Sequence, residues 1–351
     1  MESLKKKRVS WIDIAKGIAI LLVFFGHTLS TPKEFADFIY SFHMPVFFAL
    51  SGYCFSLKGN FRDFITKKAK GILLPVFTLG LTGSVAVSLM LTFIKHEAVD
   101  WKWVFLNPFV QYGTHDLLWY LPAAFVSMVC FYLLVKLCKK KMWPIVSASF
   151  VIGLLSYLFT EFVKIEIPWQ IDTALVALPF LAVGYFMKEK NAVAKIRNVP
   201  FLLISTVVCV LISILNNKFF GRVEMHTNSY GNLLLFYLGA LAGICMIISV
   251  SMLISENKAL EFFGRNTLIF YSLEPIQYFA NFVLGLCIGF IPYYDNIMIR
   301  FAVSAVAVIF VTAFSSLAAV IINRYFPFLI GQRRNTHERG NENNSQKTDN
   351  P

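Results

Sequence analysis

The chain has 351 residues, 57% of them hydrophobic and 15% charged, with a net charge of +12 and a mean hydropathy of +0.64. Soluble globular domains carry about 25% charged residues, so this chain cannot cover an ordinary water-facing surface, and a water-soluble enzyme is excluded. Its 36 Phe and 10 Met point the same way, to one polytopic membrane domain rather than the two soluble domains its length would allow.

Uncharged runs follow one another along the chain, and a membrane-crossing helix needs about 20 mostly apolar residues. The runs are 17–32, 38–57, 71–94, 117–135, 142–160, 173–187, 199–217, 225–255, 266–294 interrupted at Glu274, and 301–323. The first qualifies when extended back through Asp13 and Lys16, and 173–187 is the shortest. Backbone groups in hydrocarbon must be satisfied within their own segment. The expected fold class is therefore an all-α integral membrane protein of about ten transmembrane helices, with N- and C-termini cytoplasmic. The expected organisation is a basic cytoplasmic N-terminus at 1–8, a polytopic membrane domain at 9–326, and a polar, disordered cytoplasmic tail at 327–351.

Basic charge supports this orientation. With ten spans and an inner N-terminus, only Lys33, Lys95, Lys102, Lys164, Lys218, Arg222 and Arg300 fall outside, and Lys16 lies in the first span. All other Lys and Arg residues lie inside, as loops on the cytoplasmic side require. The charge reads as topology, with no nucleic-acid partner. Lys5, Lys6, Lys7 and Arg8 before an apolar run resemble a signal peptide, but the flank from His27 to Pro32 lacks a small-x-small cleavage site. The first helix is read as retained. The six cysteines form no CxxC pair and suggest neither metal nor disulfides.

Chemistry must then lie in the membrane helices, where ionisable residues are costly and by default functional. The first helix holds Asp13, Lys16 and His27. Eleven residues at roughly 100° each place Lys16 and His27 on one face, about 16 Å apart along the axis, and Asp13 joins the stripe. Taken singly, Lys16 is also a snorkelling cation and His27 a helix–helix hydrogen bond; Asp13 is expected to pair with Lys16. No phosphate-binding loop, metalloprotease helix, nucleophile elbow or dinucleotide loop competes.

Three stretches carry a resemblance. Residues 11–20 read WIDIAKGIAI with Gly26 and His27 downstream, 41–53 read SFHMPVFFALSGY, and 263–271 read FGRNTLIFY. Together with Lys67, Lys68 and Lys70 before Pro75, and Trp119, Tyr120 and Pro122, they resemble the acyltransferase-3 family, in particular its fucose O-acetylase-like, bacterial O-acetyltransferase branch. The basic residue, ten intervening residues and His of that family match Lys16 and His27. Two departures stand out. Lys occurs where many members have Arg, which loses the bidentate fork, and Ser272-Leu273-Glu274-Pro275 stands where many have His.

The resemblance implies transfer of an acetyl group from acetyl-CoA to a hydroxyl of a cell-envelope polysaccharide or lipid-linked sugar, at the plasma or inner membrane, with no bound cofactor and no metal. A sugar hydroxyl needs a positioned base, and His is the usual one. His27 is the first candidate and His43 the second, with Asp13 in the catalytic set. Lys16, Lys67, Lys68 and Lys70 are expected to hold the CoA phosphates, though such a cluster also fixes topology. Ser51 and Tyr53 are expected to line the channel, and Gly52 also suits close helix packing. Trp119 suits sugar stacking or interfacial anchoring; Asn266 and Glu274 complete the acceptor side. The alternative within the same family is a polysaccharide or small-molecule exporter, for which Glu274-Pro275 interrupts a span as transporter helices do.

Overall fold

The computed structural model describes residues 9–332 except 58, 95, 97, 111–117 and 166, with the backbone alone at 91, 94, 103, 274 and 275. The expected N-terminus at 1–8, and the expected tail beyond Gln332, lie outside the described residues. The elements in chain order are α1 (Ser10–His27), α2 (Lys33–Tyr40), α3 (His43–Tyr53), α4 (Phe61–Lys68), α5 (Leu81–Ile94), α6 (Trp101–Val110), α7 (Tyr120–Leu137) and α8 (Met142–Val163). They continue with α9 (Ile171–Val176), α10 (Leu178–Glu189), α11 (Val199–Phe220), α12 (Leu233–Ile254), α13 (Lys258–Arg265), α14 (Thr267–Ser272), α15 (Glu274–Cys287) and α16 (Ile297–Tyr325). Two π-helical stretches, Ala69–Leu73 and Val76–Gly80, join α4 to α5 around Pro75, where proline removes a backbone donor and clashes with the preceding turn.

The protein is all-helical among its described residues. Among the described residues seven helices are long and apolar enough to cross a membrane, or eight if the broken pair Pro168–Val176 and Leu178–Glu189, bent by 53°, counts as one span. That pair occupies the run at 173–187. The run at 38–57 is not one straight helix either: α2 and α3 meet at a break over Ser41 and Phe42, both buried. The run at 266–294 is divided among α14, α15 and a 3-10 turn at Ile288–Phe290. Interrupted backbone at membrane depth is tolerated where protein buries it. Asparagines begin several elements: the side chains of Asn60, Asn198, Asn232, Asn257 and Asn296 each accept a backbone N–H of the following turn, satisfying groups a helix start leaves open.

The peripheral helices are built inside out. In α8, Ser149, Gly153 and Ser156 face inward; in α11, Ser205, Cys209 and Ser213; in α16, Ser304, Ser315 and Ala319. Their large apolar residues point outward, among them Phe162 at 82% exposure and Ile309 at 68%. Small inward residues allow close helix packing and outward bulk suits lipid, which makes this a multi-pass membrane protein.

At the centre, α1 packs against α3, α12 and α13, and α3 packs against α10. Two reciprocal glycine contacts set these distances. A Cβ on Gly17 would stand 2.2 Å from the Leu260 carbonyl oxygen, and one on Gly264 would stand 1.7 Å from that of Asp13. A Cβ on Gly52 would stand 2.1 Å from the Leu181 carbonyl oxygen, and one on Gly184 would stand 1.8 Å from that of Ala49. Gly52 is thus a packing residue. After α16, the turn Pro327–Ile330 continues the fold: Ile330 is buried, and Thr78 Oγ1 donates to the Leu329 carbonyl at 2.7 Å.

Candidate active site

α1 and α3 run side by side, and each carries a candidate residue towards either end. They border a cavity of about 170 Å³ lined by Lys16 and Ile20 from α1, and by Met44, Phe47 and Ser51 from α3. Lys68, Tyr120, Thr267 and Tyr271 complete its polar lining. Ser51 and Tyr120 both line it, and the Tyr120 N–H donates to Tyr271 Oη at 3.2 Å. Lys68 stands 5.8 Å from the centre of the Phe64 ring. Of the expected lysine set, Lys16 and Lys68 line the cavity, whereas Lys67 and Lys70 are exposed beside it.

At the other end His27 and His43 flank Tyr40. The ring centroids are 5.6 Å apart for His27 and Tyr40, and 5.0 Å for Tyr40 and His43. His43 Nδ1 lies 2.8 Å from the Ile39 carbonyl oxygen. A carbonyl can only accept, so Nδ1 carries the proton and donates; Nε2 keeps the lone pair a base needs. His43, the first residue of α3, is therefore anchored to the last turn of α2 across the break between the two helices. The Arg222 guanidinium covers Tyr40 at 4.1 Å from the ring centroid. Its Nε is 3.1 Å from Asp37 Oδ1, with the N–H aimed away from that oxygen, so the contact is an ion pair rather than a hydrogen bond. Asn217 donates to the other Asp37 oxygen. Arg222 and His226 are both near enough to act electrostatically on His27, and His226 lies 5.8 Å from Trp119.

Position of the His27 backbone is set from α15 and α16. Asn281 Nδ2 donates to the His27 carbonyl at 2.7 Å, and the Leu29 N–H donates to Asn281 Oδ1 at 3.0 Å. Gln277 donates to Thr28 Oγ1 at 2.9 Å, and Arg300 donates to the Ser30 and Thr31 carbonyls at 3.1 Å each. The His27 carbonyl, which the helix end leaves without a partner, is thus met by a side chain distant in sequence, while those of Phe24 and Phe25 are met locally by Thr28 and Thr31.

The Acyltransferase domain profile, that of the acyltransferase-3 family, matches residues 9–325. The chain belongs to this family. It is also 31% identical over 153 residues to nodulation protein NolL of Mesorhizobium japonicum, a match covering 39% of this chain and 38% of that protein. The match thus spans little more than a third of that relative.

Within this member of the family the motif residues divide between the two ends. On α3, His43, Phe47 and Ser51 recur every four residues and share a face, so the stretch 43–51 links histidine to cavity. Asp13 requires a correction: its partner is not Lys16 but Arg265, whose Nε lies 3.2 Å from Oδ2, with Glu261 on the same guanidinium. Asp13 is also about 21 Å from His27 along α1 and is not brought to the histidine pair. Tyr53 stacks edge-on against Trp11 at 5.0 Å, away from the cavity lining. Asn266 accepts from Asn323 Nδ2 at 2.6 Å and ties α14 to α16. Glu274 opens α15; its side chain lies outside those described.

Sequence reasoning did not single out Tyr40, Asp37, Arg222, His226, Tyr271 or Asn281. Arg222 and His226 share the connection between α11 and α12, and this pairing of Arg and His in a short loop is the one signal that marked it. Tyr40 is one of 14 tyrosines, and only the break between α2 and α3 sets it apart.

Proposed function

We propose that this membrane acyltransferase is an O-acetyltransferase, moving an acetyl group from acetyl-CoA to a hydroxyl of a cell-envelope polysaccharide or lipid-linked sugar. One observation carries the reading: a single cavity has Lys16 and Lys68 at one end and reaches Met44, next to the base candidate His43, at the other. Anionic phosphates suit the lysine end, and the thin pantetheine arm suits the passage along Ile20, Phe47 and Met44. The acceptor then meets the thioester from the side of His27, His43 and Tyr40.

The reaction needs one base and no redox partner. His27 takes the proton of the sugar hydroxyl, with His43 Nε2 its partner or substitute. The hydroxyl oxygen bonds to the acetyl carbon, the C–S bond breaks, and CoA leaves as a thiolate that recovers the proton. Lys substitutes here for a bidentate Arg, so the phosphates are held as point charges.

For topology we count ten crossings with both termini in the cytoplasm of a plasma or inner membrane. The broken segments 38–57 and 266–294 add two to the eight of the helical test. The cationic bias of the inner loops supports this orientation.

The test is acetyl transfer from radiolabelled acetyl-CoA into endogenous glycan in membranes, wild type against His27→Ala. Label that enters glycan in the wild type and vanishes in the variant supports both reaction and base. No label in either, together with loss of glycan export on deletion, overturns the enzyme in favour of an exporter.

A further inference from the structure

We infer that the groove between α2, α11 and the start of α16 seats a lipid acceptor, a long apolar chain ending in a phosphate, which delivers its sugar to the histidine pair sideways from the bilayer. The inference rests on the acetyltransferase reading and names the route and chemistry of its acceptor.

The groove has a volume of about 670 Å³, and Phe35, Val210, Ile214 and Phe301 are among its apolar walls. Ile214 and Ile297, at 56% and 54% exposure, open it to the outside of the bundle. A water-borne glycan gains nothing from such walls, whereas a prenyl or acyl chain buries against them at about 25 cal/mol per Å².

Charge at its rim favours a phosphate. Lys33 and Lys218 line the groove and are exposed, with Glu34 the one exposed carboxylate among them. The buried carboxylate of Asp37 also lines it, but Arg222 and Asn217 already engage both of its oxygens. The accessible rim is therefore net cationic. Two other surface grooves of similar size, between α15 and α16 and between α8 and α12, have no charged residue in their linings. They accommodate ordinary lipid tails and have no means of choosing a headgroup.

The groove is also continuous with the candidate site. Asp37 forms its polar end and pairs with Arg222; Arg222 covers Tyr40; Tyr40 separates His27 from His43. A phosphate held by Lys33 and Lys218 leaves the attached sugar on the side of Asp37, from which Arg222 and Tyr40 lead to the base.

The experiment uses the full chain in phosphatidylcholine vesicles with a photoactivatable polyisoprenyl monophosphate, and reads the crosslinked positions by mass spectrometry. The expected label falls on residues 206–218 and 297–301. Excess unlabelled polyisoprenyl phosphate displaces it, and the uncharged polyisoprenol does not. Lys33→Gln with Lys218→Gln lowers the label at least fivefold, and so does Ile214→Trp, which fills the groove at a lipid-facing position without touching the core. Label spread evenly over the outer faces of α8, α11 and α16, or displaced equally by the alcohol, overturns the proposal. Labelling requires no acetyl donor, so it is separable from the reaction. Specific label without any acetyl transfer leaves the groove standing and removes the enzyme reading; transfer to a soluble glycan undiminished by all three substitutions removes the groove.

Discussion

His27 and His43, on different helices and 16 residues apart, face the same tyrosine: Tyr40 lies 5.6 Å from one ring and 5.0 Å from the other. The chain break at Ser41 and Phe42 brings this about, since α3 restarts beside the end of α1 with His43 as its first residue.

His43 is expected to act through Nε2. In His43→Asn the side-chain amide still donates to the Ile39 carbonyl but offers no base. Acetyl transfer is expected to fall about a hundredfold to ten-thousandfold, with membrane insertion and thermal stability kept. Near-normal kcat in this variant would show that His43 is only an anchor.

Lys68 and Lys67 are adjacent in sequence and differ in placement. Lys68→Gln is expected to raise KM for acetyl-CoA about tenfold, the equivalent of about 1.4 kcal/mol, because its ammonium lines the cavity. Lys67→Gln is expected to change KM less than about twofold, as solvent screens an exposed charge. Equal effects at both positions would move the phosphate site out of the cavity.

Asp13 is expected to be a brace. Asp13→Asn weakens the contact to Arg265 and is expected to lower stability by about 0.5–1 kcal/mol, read as thermal unfolding in detergent. Its kcat and pH–rate profile are expected to match the wild type. A collapse of kcat with an altered pH profile would return Asp13 to the catalytic set.

Asn281 is a positioning residue for His27. Asn281→Ala removes two hydrogen bonds at the end of α1, each contributing about 0.5–1.5 kcal/mol. The expected split is a kcat lowered about tenfold with KM for acetyl-CoA unchanged, because the donor cavity is at the far end of α1. Partial rescue by Asn281→Gln separates positioning from general loss of fold.

Gly264→Ala is expected to destabilise the protein by about 1–3 kcal/mol, since the new Cβ meets the Asp13 backbone at 1.7 Å. Gly71→Ala is the control, because nothing lies within 4 Å of its Cβ position. Differential scanning fluorimetry of the two variants in one detergent checks the contrast; similar melting temperatures would refute the close-packing account.

What the sequence determined by itself was local. A helix repeats every 3.6 residues whatever surrounds it, so the shared face of Lys16 and His27 could be read directly, as could the membrane class from uncharged runs. Lys16, which lines the cavity, was legible for this reason. Tertiary structure decided what depends on contacts between distant segments. Asp13 pairs with Arg265 because Gly17 and Gly264 let α13 lie backbone to backbone on α1, which delivers the residue after Gly264 to the carboxylate; spacing within α1 favoured Lys16 and could not show that approach. Hydropathy counted 38–57, 173–187 and 266–294 as spans, since apolarity is blind to breaks that neighbouring helices bury. Arg222 reaches Tyr40 across more than 180 residues of chain, and no local period records such a contact. The chemistry of each helix is a property of its own residues, whereas the site is a property of how closely those helices can approach.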